Sequence, residues 1–156
     1  MSPGSAITGW GACLPPKVVT NHDLSRTLDT SDEWISARTG IRARRVGGST
    51  SSLAIGAGRE ALGRAGLAPG EVDHLVLATT TPDRQVPAAS ARVQQGLGLS
   101  CGAFDLNAAC SGFVYALVVA HSLVQAGMGR VLVVGADKLS DITDWTDRST
   151  AVLFGD

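Results

Sequence analysis

The sequence has little net charge and no long apolar run, and each absence excludes a class of protein. Its 13 Lys and Arg residues are balanced by 14 Asp and Glu residues, which gives a net charge of −1. Proteins that bind nucleic acid or anionic membranes usually carry a basic excess, so we predict neither partner. No stretch approaches the roughly 20 apolar residues of a membrane-spanning helix. The opening Met1-Ser2-Pro3-Gly4 lacks the features of a signal peptide, so we expect a cytoplasmic protein.

Cysteine and aromatic residues are also scarce. The three cysteines, Cys13, Cys101 and Cys110, are odd in number and lack the spacing of metal ligands. We therefore predict neither a disulfide framework nor a metal site, as is usual in a reducing compartment. Aromatic residues make up 4% of the chain and hydrophobic residues 44%. The core is therefore expected to consist of Ala, Val, Leu and Ile.

What is present is an alternation of apolar runs with segments of helical periodicity. Strands are predicted over residues 6–9, 74–78, 103–106 and 130–136. Helices are predicted from the cap Asn21 to Leu28, from the cap Thr30 or Ser31 to Gly40, from Ser51 or Ser52 to Gly66, from Pro87 to Leu97, and over 110–126. Strands that are apolar on both faces favour a mostly parallel sheet covered by helices, which is the α/β class.

Two segments predict that further structure packs on this chain. The helix over 110–126 is apolar nearly all round, which is typical of a helix inside a larger body. The last six residues, Ala-Val-Leu-Phe-Gly-Asp, form an apolar run that resembles a strand. We therefore expect that the chain is an excised half, a cleaved fragment or one subunit of a split protein.

Cys110 is the residue with the clearest chemical context. It lies where a strand ends and the apolar helix begins, with the small residues Ala108, Ala109 and Gly112 around it. The thiolate is the reactive form of cysteine, and a helix N-terminus stabilises that negative charge. Free N–H groups in the first helical turn can also donate to an oxyanion. The local pattern alone leaves two alternatives, a nucleophile or an inert buried cysteine.

Three sets of residues resemble motifs of one enzyme family. They are Asn-Ala-Ala-Cys-Ser-Gly-Phe at 107–113, Asp-Thr-Ser-Asp-Glu-Trp-Ile at 29–35 with Arg-Thr-Gly-Ile at 38–41, and Thr-Asp-Arg at 146–148 with Phe-Gly-Asp at 154–156. Their order and spacing are similar to those of the ketoacyl-acyl-carrier-protein synthase III family, within the thiolase superfamily. The resemblance implies that residues 1–156 form one N-terminal thiolase-like domain. Its fold would be a mixed five-stranded sheet with helices on both faces.

The resemblance also assigns roles to individual residues. It implies that Cys110 takes the acyl group of an acyl-CoA. Trp34 and Arg148 would enclose the adenine of coenzyme A, with Thr30 and Arg38 nearby. Without the motifs, Trp34 would be interpreted as a half-buried helix anchor, and the arginines as part of a solvated face. Val86 matches a position that crosses a homodimer interface and lines the partner's acyl pocket, where many members have a larger aromatic residue.

The family's reaction joins the acyl group to malonyl-acyl-carrier-protein with loss of carbon dioxide. A His and an Asn from the C-terminal half, which this sequence lacks, would complete the site, and no metal or redox cofactor would be required. Acyl-CoA and acyl carrier protein are therefore the expected partners. Two alternatives stay open: a condensing enzyme or acyltransferase of polyketide-type secondary metabolism, and a non-catalytic fragment that only folds or dimerises.

Overall fold

The computed structural model describes residues 4–156, so Met1, Ser2 and Pro3 of the signal-peptide argument lie outside the described residues. The chain forms two compact units. The first contains residues 4–13 and Ser49–Asp137, and the second contains Leu14–Gly48 and Lys138–Asp156. Within residues 4–156, no helix is both long and apolar enough to cross a membrane.

Five strands and six α-helices are present in the described residues. The strands are β1 (Lys17–Thr20), β2 (Ala43–Val46), β3 (His74–Ala78), β4 (Gly102–Leu106) and β5 (Val131–Gly135). The helices are α1 (Asn21–Leu24), α2 (Asp32–Thr39), α3 (Thr50–Ala65), α4 (Ala89–Leu97), α5 (Gly112–Gln125) and α6 (Arg148–Ala151).

The first unit is a three-stranded parallel sheet with helices on both faces. The strand order is β4-β3-β5, and His74 lies opposite Gly102 on one side and Val131 on the other. Side chains alternate between the faces of a strand. Leu75 and Leu77 therefore pack in the core beneath α3 and α4, whereas Val76 and Ala78 pack with Ala116 of α5. This confirms the prediction of an α/β layer structure with parallel strands.

The second unit is built around an antiparallel pair of strands. Lys17 of β1 lies opposite Val46 of β2, and a small core contains Leu24, Ile35 and Val152. The predicted boundaries of α2 are confirmed. The Ser31 hydroxyl accepts a hydrogen bond from the Trp34 N–H, and Gly40 ends the helix in the left-handed conformation at φ 73°.

The prediction of a single five-stranded sheet is wrong in its strand grouping, because the five strands of the described residues belong to two sheets. Residues 6–9 are not a strand. They lie against α3, where a Cβ on Gly9 would be 2.7 Å from the Ala65 nitrogen and closer still to the Ala61 carbonyl oxygen. The strands β1 and β2 were not predicted, since Lys17 and the pair Arg44-Arg45 obscure any apolar alternation.

Several predicted helix ends also differ from the structure. Thr20 caps α1, which ends at Leu24 rather than Leu28. Ser49 caps α3, and α4 begins two residues after Pro87. The predicted helix over 110–126 is a 3₁₀ turn, Ala109–Ser111, followed by α5. The terminal run 151–156 is the end of α6 and a turn rather than a strand.

Candidate functional site

Cys110 lies in a sharp turn just beyond the carboxyl end of β4. Ala109, the residue before it, has φ 47°, and no other non-glycine residue of the described chain has a positive φ. The Asn107 Oδ1 accepts a hydrogen bond from the Ala109 N–H at 3.3 Å, and the Ser111 N–H donates to the Ala108 carbonyl at 3.1 Å. A left-handed alanine costs about 1–2 kcal/mol. Cys110 therefore precedes α5 on a strained turn instead of opening the helix.

The Cys110 thiol is more accessible than the other two. Cys110 is exposed, whereas Cys13 and Cys101 are half-buried. Burial raises the pKa of the Cys101 thiol. A backbone hydrogen bond lowers it by less than burial raises it, and the negative charge of Asp73 adds a still smaller rise. Accessibility and protonation therefore both disfavour Cys101 as a nucleophile.

Cys110 also borders an apolar groove of the first unit. The residues that line the groove include Phe113 and Leu117 of α5 and all five residues of β5. Phe113 is 49% exposed and Leu117 is 38% exposed, although both are large apolar side chains. The apolar surface beside Cys110 is suited to contact with hydrocarbon.

The second unit brings together three of the residues assigned to coenzyme A. The guanidinium carbon of Arg148 lies 4.7 Å from the centroid of the Trp34 ring, and that of Arg38 lies 4.3 Å from it. Both distances are within the range of a cation–π contact. An indole face and guanidinium planes are good stacking surfaces for a purine.

Local contacts fix Arg148 in this cluster. Its Nη1 donates to the Asp29 carbonyl at 2.8 Å and lies 3.9 Å from the Asp29 carboxylate. Asp147 caps the helix that begins with Arg148, accepting a hydrogen bond from the Ser149 N–H. Hydrogen bonds from the Ser149 hydroxyl and N–H lower the pKa of Asp147, so it caps the helix as a carboxylate at neutral pH.

Thr30 and Val86 occupy different environments. The Thr30 Oγ1 is buried and has no hydrogen-bond partner within the described chain. An unsatisfied buried hydroxyl costs about 1–3 kcal/mol. Val86 is 86% exposed in the loop before α4. Thr30 belongs to the second unit with Trp34, whereas Val86 belongs to the first with Cys110.

Comparison with known proteins shows which family the chain resembles. The family model described as 3-oxoacyl-[acyl-carrier-protein (ACP)] synthase III matches residues 104–156. A beta-ketoacyl-[acyl-carrier-protein] synthase III of Roseiflexus castenholzii is 54% identical over 97% of this chain and 48% of its own length. Over nearly its whole length, this chain is similar to proteins of the 3-oxoacyl-[acyl-carrier-protein] synthase III family. The chain spans about half the length of the curated relatives it matches.

Similar solved structures confirm the thiolase-like fold. The enzyme from Aquifex aeolicus VF5 matches with a TM-score of 0.94 at 48% identity, over 98% of this chain and 51% of that one. The priming beta-ketosynthase of the R1128 polyketide pathway matches with a TM-score of 0.91 at 38% identity, over 96% and 46%.

Two carboxylates beside the synthase III motif were missed by sequence reasoning. Asp105 of β4 accepts hydrogen bonds from the N–H groups of Ala89 and Ser90, at 2.8 and 2.7 Å, and so caps α4. Asp137 accepts hydrogen bonds from three consecutive threonines that follow β3. Two sequence features could have indicated these carboxylates. One is the acidic residue Asp105 near the end of β4, and the other is the run of three threonines after the neighbouring strand β3.

Proposed function

We propose that this chain supplies the acyl-accepting part of a 3-oxoacyl-[acyl-carrier-protein] synthase III that starts fatty-acid synthesis. One observation carries the proposal: an exposed cysteine on a strained turn at the carboxyl edge of a parallel sheet, within a sequence of this family. Ligands of open α/β sheets bind at that edge. The relatives are named synthases that act on acyl carrier protein.

In the first stage, the Cys110 thiolate attacks the carbonyl carbon of a short acyl-CoA. A carbon–sulfur bond forms to Cys110, the bond to coenzyme A breaks, and coenzyme A leaves as a thiol after taking up a proton. N–H groups at the start of α5 are suited to stabilise the oxyanion of the tetrahedral intermediate. Trp34, Arg38 and Arg148 would hold the adenine, with Thr30 nearby.

In the second stage, malonyl-acyl-carrier-protein loses carbon dioxide, and the resulting enolate attacks the acyl group on Cys110. A carbon–carbon bond forms, Cys110 leaves as a thiolate, and 3-oxoacyl-acyl-carrier-protein is released. The family resemblance assigns enolate stabilisation to a His and an Asn outside this sequence. We propose no metal or redox cofactor for either stage. The expected setting is a cytoplasmic homodimer, in which Val86 reaches the partner's acyl pocket.

A second candidate is a priming enzyme of polyketide synthesis, which would use Cys110 on another acceptor. It is supported by the likeness to the R1128 priming ketosynthase, although the identity of 38% is below the 48% of the Aquifex synthase III. Decarboxylation of malonyl-acyl-carrier-protein with an acetyl primer would favour the fatty-acid reaction. A third candidate is a non-catalytic fragment, which would not acylate Cys110.

The test is to incubate the protein with acetyl-CoA and locate the acyl group by peptide mass spectrometry. We expect acylation of Cys110 and its loss in Cys110→Ser. Cys101→Ser is the matched control, because it removes a thiol but should leave acylation intact. An acyl group only on Cys13 or Cys101, or on no cysteine, would refute the proposal.

A further inference from the structure

A dense group of hydrogen bonds lies at the carboxyl edge of the sheet. The Asp137 Oδ1 accepts from the N–H groups of Thr80 and Thr81, at 2.7 and 3.2 Å. It also accepts from the hydroxyls of Thr79, Thr80 and Thr81, each at 3.1 Å. Five donors thus lie within hydrogen-bond distance of one carboxylate oxygen, whose lone pairs accept only some of them at a time, and hydrogen bonds to a charged acceptor are stronger than neutral ones. We call Asp137 and these three threonines the Asp137 clamp.

The clamp fixes the ends of the strands that lead to the Cys110 turn. Asp137 follows β5, and the threonines follow β3. Ala136 donates its N–H to the Ala78 carbonyl at 3.1 Å, which joins these two ends. Thr79 donates its N–H to the Leu106 carbonyl of β4 at 3.1 Å. Leu106 is the last strand residue before the turn that carries Cys110.

The first turn of α5 rests on the same strand ends. A Cβ on Gly112 would lie 3.7 Å from the Cβ of Ala78, and a Cβ on Gly135 would lie 2.9 Å from the Phe113 ring. Ala78 and Gly135 are the last residues of β3 and β5. Asp137 and Cys110 also line the same groove. A shift of either strand end would therefore move the segment that carries Cys110.

We propose that Asp137 is a positioning residue for Cys110. It does not touch reacting atoms. It holds the ends of β3 and β5 so that the Cys110 turn keeps the geometry that acyl transfer needs. The inference rests on the proposed role of Cys110 as acyl acceptor. Misplacement of a reacting group by about 1 Å can lower a rate about 100-fold, whereas alkylation by a small reagent needs only an accessible thiolate.

The chain offers a matched control at the opposite edge of the sheet. Asp73 precedes β3, and its Oδ2 accepts a hydrogen bond from the Arg130 N–H at 2.8 Å, just before β5. The Asp73 N–H donates to the Arg130 carbonyl at 2.9 Å. Asp73 thus joins the starts of the two strands whose ends Asp137 joins. Asp73→Ala removes a comparable carboxylate link far along the strands from Cys110.

The experiment compares Asp137→Ala and Asp73→Ala in the complete protein, under conditions where both are folded. Three rates are measured: amide hydrogen exchange of residues 109–112, alkylation of Cys110 by iodoacetamide, and acylation of Cys110 by acetyl-CoA. For Asp137→Ala we expect at least tenfold faster exchange, at least tenfold slower acylation, and alkylation within threefold of the unsubstituted protein. For Asp73→Ala we expect all three rates within threefold.

If Asp137→Ala does not fold, Asp137→Asn keeps an acceptor oxygen without the charge, and its effects should have the same direction. Equal changes in Asp137→Ala and Asp73→Ala would overturn the proposal, because they would indicate general destabilisation. Unchanged exchange at 109–112 in Asp137→Ala would overturn it as well. Absence of acylation in the unsubstituted protein would instead refute the proposed function, and the exchange measurement would still decide whether Asp137 orders the Cys110 turn.

Discussion

Removal of the Trp34 side chain should weaken the use of acyl-CoA without abolishing the chemistry of Cys110. The ring lies within cation–π distance of both Arg38 and Arg148, so it is the common surface of the proposed adenine site. Stacking of a base on an aromatic side chain contributes about 1–3 kcal/mol. Since about 1.4 kcal/mol corresponds to a tenfold change, Trp34→Ala should raise the KM for acetyl-CoA by about 5- to 150-fold.

The assay compares two acyl donors. Acetyl-CoA carries the adenine, whereas acetyl-pantetheine carries the same thioester without it. Trp34→Ala and Arg148→Ala should both raise the KM for acetyl-CoA and leave that for acetyl-pantetheine nearly unchanged. Trp34 also packs against the core of the second unit, so Trp34→Phe, which keeps much of that packing, should show a smaller effect than Trp34→Ala.

Arg64→Ala is a matched control for the arginine change. Arg64 lies 3.7 Å from the centroid of the Trp10 ring, so its removal breaks another arginine–tryptophan contact. It should leave the KM for acetyl-CoA unchanged. If Trp34→Ala and Arg148→Ala had wild-type KM values, or if both donors were affected equally, the assignment of an adenine site would be refuted.

Three further predictions concern other parts of the chain. Iodoacetamide should label Cys110 before Cys101, and labelling of Cys101 should increase only at higher pH than for an ordinary cysteine, because its pKa is raised; equal rates measured by mass spectrometry would contradict this. Gly9→Ala should lower the free energy of unfolding, measured in urea, by about 2 kcal/mol or more, because the new Cβ meets the backbone of α3. Gly63→Ala is the control, since no atom lies within 4 Å of its new Cβ. It should raise the free energy of unfolding by roughly 0.5–1 kcal/mol. Ala109→Val should lower it by about 1–3 kcal/mol, since a β-branched residue is poorly tolerated at φ 47°, and an unchanged urea midpoint would argue against strain in this turn.

The strands β3 and β5 were predictable because each contains a continuous apolar run, which in β3 is Leu-Val-Leu-Ala. The run at β5, Val-Leu-Val-Val-Gly, has no polar residue. The ends of α2 and α3 were predictable because glycine readily adopts the left-handed conformation that Gly40 and Gly66 have there. The pair β1 and β2 was not predictable, because each strand has four residues and the charged Arg44 is buried there, where it donates to the Val152 carbonyl. No local pattern reports such a long-range contact.

In the candidate site, too, the features that are local in sequence were predictable, and those that depend on long-range contacts were not. The Cys110 turn is contiguous in sequence, so its strand and helix were recognisable from hydrophobicity. Its role stays a prediction from a motif. Trp34 and Arg148 come from distant segments, and only the family resemblance predicted that they lie close together, on either side of an adenine. The Asp137 clamp lies outside the three motifs, and the approach of its donors to one oxygen depends on how β3 and β5 are paired.

The second unit is discontinuous in sequence, since Ser49–Asp137 separates its two segments. Ile35 and Val152 share one core, and Arg44 binds the Val152 carbonyl, so the first segment cannot complete its core alone. During synthesis, residues 14–48 leave the ribosome well before residues 138–156. Arg148 can therefore contact Trp34 only after all the residues of the parallel sheet have been synthesised. The entropic cost of bringing the two segments of the second unit together is smaller if the first unit, which connects them, has already folded into a compact body. The proposed adenine site would accordingly be among the last parts of the chain to form.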